Sequence, residues 1–471
     1  MDIAASEIVR FKPVELGLQG PDDLAQSCEV RERMTTACPA MLAECAAAFE
    51  PWSKGTPRER AACLESLADE LEKSRDILCE TMLDEIGATA AWANHNVSLA
   101  AKTLRETATY ADTISQGPEV IPNLDVRSYV VNDPLGVCLA ITPWNAPLIL
   151  GARAIAMALL CGNTVLLKGN ELSPKCYQLF GDAIERSALP DKVVNLFLCA
   201  TDVGEAVVDM LIASPVVRHI SFTGSTRVGR RVAEISARHL KRPLLELGGQ
   251  ASMIVLGDAD LELAAQAVVE GGFLNQGQIC MSTERLIVDA PIADTFIAMV
   301  EKLRSGLTVG DPRQASTDLG PLINAESAQR LSGLVSDAVS KGAKVVGGAG
   351  VDGAYFEPTL IDHVEPEMRL FQEEVFGPVL SVTRINSADE AITIANDSGY
   401  GLAASIFTAN LEEARRIASQ LETGICHINR STVDDDPHAP FGGMKDSGYG
   451  RFGGRWAIDE FTNQRWFTER I

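Results

Sequence analysis

The chain has 471 residues, of which 46% are apolar and 22% are charged, and its formal net charge is −23. This length predicts two or more domains, each large enough to bury its own core. The strong negative charge argues against a nucleic-acid-binding protein, although a local helix N-terminus can still bind an anionic cofactor.

The eleven cysteines are scattered and form no CxxC pair, which argues against a zinc ribbon or a disulfide scaffold and gives no metal site to propose. The first residues, MDIAASEIVRFKP, lack the apolar core of a signal peptide. No apolar run reaches the roughly 18 residues that a membrane span needs. We therefore expect a reduced, cytoplasmic protein that has no membrane partner.

The first hundred residues show a helical pattern. Thr56–Glu59 is a capping box with proline at the first helical position. Behind it, apolar residues recur mostly at three- or four-residue steps, which predicts a surface helix that packs one stripe. The stripe comprises Leu64, Leu67, Leu71, Leu78, Met82 and Ile86.

From about residue 136, short β-rich runs alternate with helical segments, which is typical of βαβ units and a parallel, doubly wound sheet. The predicted strands are Gly136–Thr142, Asn163–Lys168, Val193–Cys199, His219–Gly224 and Pro243–Leu247. A second α/β block follows, and its predicted elements are the strands Met253–Leu256, Val379–Ile385 and Ile425–Asn429, a helix Leu261–Gly271, a capping box at Ser387–Glu390 and a helix from Asn410 to Gly424.

Two segments are predicted to lie at the periphery. They are Glu119–Asn132 and the tail after about Arg451. Both alternate polar and apolar residues in places, as half-buried strands do. They could therefore add strands to the sheet of a partner subunit.

The motif NQGQIC, residues 275–280, places one cysteine behind a polar turn that contains glycine. Free cysteine is commonly inert core, but these flanks indicate a tight loop that presents the thiol. A thiol with a pKa of about 8.5 needs help from a base, a cationic cofactor ring or backbone amides to react at neutral pH. Cys280 is therefore a candidate nucleophile, with a structural role as the alternative.

Two more residues could assist such a nucleophile. Glu246 ends an apolar strand just before two glycines, and if it is buried its pKa would be raised toward the value that suits a general base. The alternative is a strand-end glutamate in solvent. Asn145, in the stiff turn TPWN, could donate to an oxyanion, a contact typically worth about 3–4 kcal/mol, or could bond the local backbone.

Two segments could bind a phosphate and a sugar. FTGSTRVG, residues 222–229, follows a strand and begins a helix, so Gly224, Ser225 and the helix dipole could hold a phosphate. It is not the GxGxxG fingerprint. Lys168 and Glu171 lie at and just after a strand end, where they could bind a ribose and where the carboxylate would repel a 2′-phosphate. Surface charge is the alternative for both residues.

The last two motifs are EEVFGP, residues 373–378, and PFGGMK, residues 440–445. Each alone could be only a loop rim or a tight turn. Together and in this order, however, TPWN, FTGSTxVG, ELGGQ, NQGQIC, EEVFGP and PFGG resemble the aldehyde dehydrogenase superfamily over nearly the whole chain. The spacing between Glu246 and Cys280 matches the hydrolytic branch of that family.

The resemblance implies an α/β fold with three parts, and a homodimer or homotetramer. A Rossmann-like cofactor domain would span residues 1–118 and 136–247, and a second α/β catalytic domain would span 248–440. A small β oligomerisation arm would comprise 119–135 and 450–471.

The resemblance also implies a reaction, the oxidation of a small-molecule aldehyde with NAD, or with NADP as a second possibility. Cys280 matches the nucleophile that forms a thiohemiacetal and, after hydride transfer to the nicotinamide, a thioester. Asn145 and the backbone N–H of Cys280 match the oxyanion hole. Glu246 matches the base that activates water to hydrolyse the thioester.

The implied cofactor contacts fall into three groups. Lys168 and Glu171 match adenosine-ribose contacts, Gly224 and Ser225 match the pyrophosphate turn, and Glu374 matches the nicotinamide-ribose clamp. The remaining matches are Thr142, Pro143, Trp144, Val228, Leu247 and Phe376.

Two positions depart from the family pattern. Lys-Gly-Asn-Glu, residues 168–171, replaces the common Lys-Pro-Ser-Glu, so we expect a looser loop that keeps both contact residues, with Glu171 favouring NAD over NADP. Phe452 stands where many members have a glutamate suggested as a proton relay. Glu246 is therefore expected to act alone or through water.

The Lys-Gly-Asn-Glu variant and the segment Asn429–His438 resemble salicylaldehyde and vanillin dehydrogenase-type enzymes, which implies an aromatic, hydroxybenzaldehyde-like substrate. On the helix after Asn145, Ile149 and Arg153 fall on one face at positions that line the family's substrate channel. The Arg153 guanidinium could pair with a phenolate or ring hydroxyl, or with a local acid. The other channel candidates are Ile279 and Met281.

Three other functions stay open. A CoA-acylating relative would share the fold and Cys280 but would not need Glu246, and an NADPH-dependent reductase of activated acids is disfavoured by Glu246 and Glu171. A non-catalytic protein on this fold would not need the intact set of Cys280, Glu246 and Asn145. These residues together favour the hydrolytic dehydrogenase.

Overall fold

The computed structural model describes residues 28–114, 126–199 and 201–470. The first part of the predicted peripheral segment, residues 119–125, lies outside the described residues, as do the N-terminal residues in which we expect no signal peptide. None of the described helices combines the length and apolarity that crossing a bilayer requires.

Strands and helices alternate along most of the chain. The strands are β1 (Val126–Pro134), β2 (Val137–Ile141), β3 (Thr164–Lys168), β4 (Val194–Phe197), β5 (Val217–Thr223), β6 (Pro243–Glu246), β7 (Ala251–Val255), β8 (Thr283–Asp289), β9 (Lys344–Gly347), β10 (Val351–Asp352), β11 (Tyr355–Phe356), β12 (Thr359–Asp362), β13 (Val379–Ile385), β14 (Ala403–Phe407), β15 (Ile425–Ile428), β16 (Gly448–Tyr449) and β17 (Thr462–Arg470). The helices are α1 (Cys28–Lys54), α2 (Pro57–Lys73), α3 (Arg75–Ile86), α4 (Ala90–Thr109), α5 (Pro147–Leu160), α6 (Pro174–Arg186), α7 (Thr201–Ala213), α8 (Thr226–Arg238), α9 (Leu261–Phe273), α10 (Ala290–Arg304), α11 (Ala325–Ser340), α12 (Arg369–Gln372), α13 (Ala388–Asn396), α14 (Leu411–Ala418) and α15 (Trp456–Glu460).

The first large sheet has the strand order β16-β6-β5-β2-β3-β4. All neighbours are parallel except β16, which is antiparallel to β6. The chain runs outward from β2 to β4 and then returns to β5 on the other side, so the order reverses between β2 and β5. Ligands of doubly wound sheets bind at the carboxyl ends of the strands at such a reversal. The predicted parallel, doubly wound sheet is confirmed.

The second large sheet has the order β15-β14-β7-β8-β13-β12-β9, in which only β9 is antiparallel to its neighbour. Only four residues separate Glu246, which ends β6 in the first sheet, from Ala251, which begins β7 in the second. The carboxyl edge of the first sheet therefore meets the amino edge of the second. Residues just after β2, β3, β5 and β6 can face residues just before β8 and β13.

The apolar stripe predicted for the first helix is confirmed, but the stripe runs along two helices and not one. Thr56 and Glu59 form the reciprocal capping box, and all six residues of the stripe are buried. The helix is divided at Ser74, where the backbone leaves the helical region and Arg186 donates to the serine hydroxyl at 2.9 Å. The periodicity continues across the break because both helices bury their apolar faces in one core.

Two details of the second block differ from prediction. The Ser387 hydroxyl accepts from the Glu390 N–H as expected, but the Glu390 carboxylate bonds the Asn386 N–H, so the capping box is incomplete. The helix that begins after Asn410 ends at Ala418, so Gly424 is not its C-cap. Gly424 instead packs on backbone, since a Cβ there would lie 1.8 Å from the Gly442 carbonyl oxygen.

A two-stranded antiparallel ribbon, β1 with β17, stands apart from the two large sheets. Most of its side chains are partly or fully exposed, and Trp466 is 70% exposed. The residues that precede β17 differ from the ribbon, because Phe452 and Phe461 are buried in the core of the first domain. The peripheral strand therefore begins only at Thr462.

Candidate active site

The strand ends of the first sheet bring the predicted residues to one edge. Asn145 follows β2, Lys168 ends β3, Ser225 follows β5 and Glu246 ends β6. Cys280 reaches the same edge from the loop before β8. Residues that are far apart in sequence are thus collected at the reversal of strand order.

Cys280 follows a loop whose backbone lies in the left-handed region. Asn275, Gln276 and Gly277 have φ values of 50°, 57° and 69°. Residues with side chains rarely adopt this conformation, so the surroundings must hold it. The Gln276 amide does so by donating to two backbone carbonyls at 2.8 and 3.0 Å. The predicted tight polar turn is confirmed, and it leaves Cys280 partly buried.

Glu246 is 2% exposed, so its placement in solvent, the alternative from the sequence, is wrong. Burial raises the pKa of its carboxyl group to about 7, although the nearby Arg153 guanidinium lowers it. The carboxyl group lies close enough to the Cys280 thiol for each group to shift the pKa of the other. Among the described residues, its Oε1 atom has no hydrogen-bond partner. A buried carboxyl group in this state can act as a base near neutral pH.

The Cys280 thiol is protonated at neutral pH. Burial raises its pKa well above the ordinary value, and the Glu246 carboxylate adds to the effect by disfavouring a second negative charge. The thiolate is the nucleophilic form, so reaction at this sulfur requires that the proton be taken up. Glu246 is the neighbouring group that can accept it.

Asn145 is held by contacts that are distant in sequence, not by the local backbone bonds of an isolated turn. Its Nδ2 donates to the Gln278 carbonyl at 2.9 Å, and its own carbonyl accepts from the Trp92 indole at 3.1 Å. These bonds fix Asn145 against the loop that carries Cys280. A carboxamide nitrogen has two N–H groups, so a second donor can serve an oxyanion.

Gly248 and Gly249 let three loops meet at this edge. A Cβ at Gly249 would lie 2.1 Å from the Cys280 carbonyl oxygen, and a Cβ at Gly248 would lie 2.5 Å from the Glu374 carboxylate. The Gly249 N–H donates to Glu374 Oε1 at 2.9 Å. The two glycines after Glu246 are therefore required by close backbone approach.

The segment Lys168–Glu171 is closely packed, so the expected looser loop is wrong. A Cβ at Gly169 would lie 2.6 Å from the Tyr177 ring and 2.9 Å from Leu198, and the Gly169 N–H donates to the Phe197 carbonyl at 3.0 Å. The Tyr177 hydroxyl in turn donates to the Pro143 carbonyl at 2.7 Å. Glycine stands here because the tyrosine ring occupies the space that a side chain would need.

The pair Lys168 and Glu171 is partly buried at the end of β3. The Lys168 ammonium lies 3.3 Å from a Glu171 carboxylate oxygen. Thr142 fixes the strand end beside them, because its hydroxyl and its N–H both bond the Lys168 carbonyl, at 3.0 and 3.1 Å. A carboxylate and an ammonium in this position can bind vicinal sugar hydroxyls.

The turn after β5 begins the 13-residue helix α8 at Ser225. Ser225 has extended backbone angles and makes no side-chain capping bond to the helix. The first N–H groups of a helix and a serine hydroxyl can bind a phosphate. Val228 is partly buried, and Leu247 packs so closely on the helix that a Cβ at Gly229 would lie 2.3 Å from it.

Glu374 and Phe376 form the far side of the site. Burial raises the pKa of the Glu374 carboxyl group to about 7. The ring of Phe376 packs edge-on against Trp144, with 5.9 Å between the ring centres. Its backbone is left-handed, with φ of 44°. Glu373, the other acid of the motif, instead pairs with Arg369 at the surface.

Arg153 is 8% exposed and forms an ion pair with Asp435. The sequence left open whether Arg153 pairs with a substrate hydroxyl or with a local acid. The structure shows an acid, which comes from a distant segment of the chain. The guanidinium also lies over the Phe441 ring, 4.1 Å from its centre. A cavity of about 20 Å³ lies among Arg153, Asp435, Phe441 and Phe452, large enough for about one water molecule. The other channel candidates, Ile149, Ile279 and Met281, are buried apolar residues.

The sequence analysis missed Glu284, Arg330 and Trp92. Glu284 is a buried carboxylate at the start of β8 that binds the backbone of the Glu374 segment. Its signal in the sequence is weak, because Glu284 lies between Thr283 and Arg285 at the polar start of β8. Arg330 and Trp92 gave no signal, since their contacts depend on the fold.

The residues at this edge fit a dinucleotide. The N-terminus of α8 follows β5, the partly buried Glu171 carboxylate follows β3, and the buried Glu374 carboxylate accepts from the Gly249 N–H after β6. The chemistry of this donor set suits a pyrophosphate flanked by two riboses. Cys280 and Glu246 lie beside the second carboxylate, where a reactive ring and a small substrate could meet.

Comparison with known proteins identifies the family. Residues 18–467 match a family model described as the aldehyde dehydrogenase family. The chain is 47% identical to a vanillin dehydrogenase of Pseudomonas fluorescens, with 91% of this chain and 89% of that protein covered. It is 45% identical to a salicylaldehyde dehydrogenase of Pseudomonas sp. strain C18, with 89% and 87% covered.

A crystal structure of a salicylaldehyde dehydrogenase from Pseudomonas putida G7, complexed with salicylaldehyde, has a TM-score of 0.91 and 44% identity. The match covers 93% of this chain and 90% of that one. The α/β fold that the motifs implied is thus confirmed. The family model and these relatives span nearly the whole sequence, and the chain belongs to the aldehyde dehydrogenase family.

Proposed function

We propose that this enzyme oxidises an aromatic, hydroxybenzaldehyde-like aldehyde to the carboxylic acid with NAD, through a thioester on Cys280. The observation that carries the proposal is the buried Glu246 carboxyl group, which lies beside the Cys280 thiol. It joins a nucleophile and a base in one contact. A CoA-acylating enzyme would pass the acyl group to another thiol and would need no such base, so hydrolysis fits better.

The steps follow from the protonation states of these two groups. The Cys280 sulfur adds to the aldehyde carbon as its proton passes to Glu246, and the carbonyl oxygen becomes an oxyanion that accepts from Asn145. When bound, the dinucleotide supplies the hydride acceptor that converts the thiohemiacetal to a thioester. Glu246 must first release the Cys280 proton to solvent, and it then takes a proton from water. The resulting hydroxide attacks the thioester, the acid leaves, and the Cys280 sulfur takes the proton back from Glu246.

The proton that Glu246 collects must return to solvent, and Phe452 cannot relay it. The cavity beside Phe452 has room for about one water and is lined by Arg153 and Asp435. Because Phe452 has no ionisable group, Glu246 would act directly or through water.

We propose NAD as the preferred cofactor and NADP as the alternative, since enzymes of this family use one or the other. Lys168 and Glu171 would hold the adenosine ribose, the turn at Gly224 and Ser225 the pyrophosphate, and Glu374 the nicotinamide ribose. The Glu171 carboxylate would repel a 2′-phosphate, although its contact with Lys168 weakens that repulsion.

The aromatic substrate class is supported by Arg153 and by the names of the relatives. Arg153, Phe441 and the apolar residues around Asn145 offer one charged group among rings and aliphatic side chains. A planar ring would pack on such walls, and a ring hydroxyl could bond within the pair of Arg153 and Asp435. Vanillin and salicylaldehyde, which name the relatives, are hydroxylated aromatic aldehydes.

The direct test is a spectrophotometric panel with purified enzyme. Aromatic and aliphatic aldehydes are each supplied with NAD and with NADP, and NADH or NADPH is recorded. The proposal predicts the highest kcat/KM for hydroxylated benzaldehydes with NAD. A preference for aliphatic aldehydes, or for CoA as an obligatory acyl acceptor, would contradict it.

We also propose a homodimer or homotetramer assembled through the β1–β17 ribbon, and a reducing, cytoplasmic location. The exposed Trp466 on the ribbon supports the first. Ten free cysteines among the described residues, with no disulfide between them, support the second.

A further inference from the structure

A buried carboxylate outside the catalytic set holds the segment that carries Glu374. Glu284, the second residue of β8, is 2% exposed. Its Oε2 accepts from the Val375 N–H at 2.9 Å, and its Oε1 accepts from the Phe376 N–H at 2.7 Å. Each oxygen thus binds one of two consecutive peptide groups, which a carboxylate does better than a carboxamide.

Arg330, on α11, holds the same segment by its carbonyl groups. Its guanidinium donates to the Glu374 carbonyl at 3.1 Å and to the Val375 carbonyl. Two side chains from different elements therefore bind four backbone groups of residues 374–376. We call Glu284 and Arg330 the bracket.

The segment within the bracket has a strained backbone. Phe376 has φ of 44°, a conformation that residues with side chains adopt only when their surroundings enforce it. If the bracket were lost, the backbone would relax toward an ordinary conformation. The Phe376 ring would then move away from Trp144, and the Glu374 carboxylate would move away from the Gly249 N–H.

The bracket carries an electrostatic cost that packing alone would not require. Two effects together raise the pKa of Glu284 to about 8. Burial is the larger, and the charge of Glu374 is the next. A group that only filled this space would be less costly as an apolar side chain. We therefore infer that the carboxylate is present because it fixes the backbone of residues 374–376.

We propose that Glu284 and Arg330 are positioning residues that orient Glu374 and Phe376 toward the nicotinamide half of the dinucleotide. This inference rests on the proposed function, in which Glu374 contacts the nicotinamide ribose. The bracket touches neither substrate nor cofactor. Its loss should weaken recognition of the nicotinamide half and leave recognition of the adenosine half intact.

The test compares NAD with ADP, which carries only the adenosine half, by calorimetric titration of full-length enzyme above pH 8, where Glu284 is ionised. Glu284→Gln should weaken NAD binding by about tenfold, because one charge-assisted acceptor is lost and an N–H group is placed against a peptide N–H. ADP binding should change by less than about twofold. In steady-state assays, KM for NAD should rise while KM for the aldehyde stays near that of the wild type.

Arg330→Lys gives a second variant, on an exposed residue that tolerates substitution. Lysine keeps the charge but cannot donate to both carbonyls in the geometry of a guanidinium. It should show the same selective loss of NAD binding. If Glu284→Gln fails to fold, this variant decides the question.

Glu85 provides a matched control in the same chain. Its carboxylate also accepts from two consecutive N–H groups, those of Lys175 at 2.6 Å and Cys176 at 2.8 Å, and burial raises its pKa too. Glu85→Gln should change NAD and ADP affinities in the same proportion. If Glu284→Gln behaves like this control, the bracket is only structural and the inference is overturned. If the wild type binds neither NAD nor NADP, the proposed function itself fails.

Discussion

At the scale of single residues, the burial of Glu246 sets the pH dependence of the reaction. Because its pKa is raised to about 7, the carboxylate is the minor form below pH 7 and the major form above it. We therefore predict that kcat, where thioester hydrolysis limits it, rises through pH 7 and then levels off. Glu246→Gln should lower kcat by about 10² to 10⁴ and abolish this rise. A rise that persists in the variant would assign the titration to another group.

The same burial predicts a dependence of stability on pH. The Glu246 pKa is about 7 when folded and near the ordinary 4.5 when unfolded, so the folded chain holds this proton more tightly. The resulting stabilisation is fully present below about pH 4.5 and is lost as the pH rises through 7. Relative to Glu246→Gln, the wild type should lose stability on the order of 3 kcal/mol across this window.

Thermal unfolding of the two proteins at mildly acidic and mildly alkaline pH measures this loss. Groups that titrate equally in both proteins cancel in the comparison. The Tm advantage of the variant should grow toward alkaline pH, and an advantage that shrinks would mean that Glu246 is not buried as described.

Arg153 should contribute to the choice of substrate. We predict that Arg153→Leu raises KM for hydroxylated benzaldehydes more than for unsubstituted benzaldehyde, because only the former present a hydroxyl to the guanidinium. Asp435→Asn is the control for the ion pair, since it removes the charge of Asp435 and keeps Arg153. Equal KM effects on both substrates would rule out a hydroxyl contact.

Candidate site residues could be predicted from the sequence where the residues next to them in the chain indicated a role. Cys280 had a polar turn before it, and Glu246 had an apolar strand before it and two glycines after it. Asp435 and Arg330 could not be predicted, because their contacts lie far away in the chain. Glu284 was missed because it lies beside Thr283 and Arg285, whereas Glu246 follows an apolar run.

At the scale of secondary structure, the β3–α6 connection depends on one glycine. We predict that Gly169→Ala lowers stability by about 1–3 kcal/mol, because the new Cβ would lie 2.6 Å from the Tyr177 ring. Gly181→Ala, within α6, is the matched control. The nearest atom to its new Cβ would be in the Leu196 side chain, at 4.0 Å. The control should be neutral or stabilise by up to about 1 kcal/mol. Equal Tm values for both variants would show that the Tyr177 ring can move aside without loss of stability.

Elements were predicted well where periodicity and flanking residues agreed. The strand Val379–Ile385 is found with the predicted bounds. The helix after Asn410 was predicted too long because glycine is common at helix C-termini, whereas Gly424 is required by close packing on Gly442. The break at Ser74 was missed because one buried stripe continues through two helices.

At the scale of the whole molecule, the alternation of strands and helices was enough to predict parallel α/β sheets. It could not show that the carboxyl edge of one sheet meets the amino edge of the next, which is what brings Glu246 to Cys280. That arrangement follows from the short connection between β6 and β7, whose close approach depends on Gly248 and Gly249.

The β1–β17 ribbon should determine assembly. Trp466 is 70% exposed on this ribbon, an unusual position for a large apolar ring unless a partner covers it. We predict that Trp466→Glu lowers the mass measured by light scattering, because the proposed dimer or tetramer would lose this contact. Trp456→Glu, at a 46% exposed tryptophan on α15, is the control and should not change the mass. An unchanged mass for Trp466→Glu would exclude the ribbon as the interface.

Rapid mixing of the Glu246→Gln enzyme with NAD and a hydroxybenzaldehyde tests most directly whether Cys280 and Glu246 together carry a hydrolytic oxidation. NADH is recorded, and the quenched protein is analysed by mass spectrometry. In Glu246→Gln we expect about one equivalent of NADH per site, formed more slowly than in the wild type because water must then take the Cys280 proton. We also expect slower turnover than in the wild type and an acyl group on Cys280, with no NADH from Cys280→Ala. Absence of the NADH burst in Glu246→Gln, or an acyl group on another residue, would contradict it.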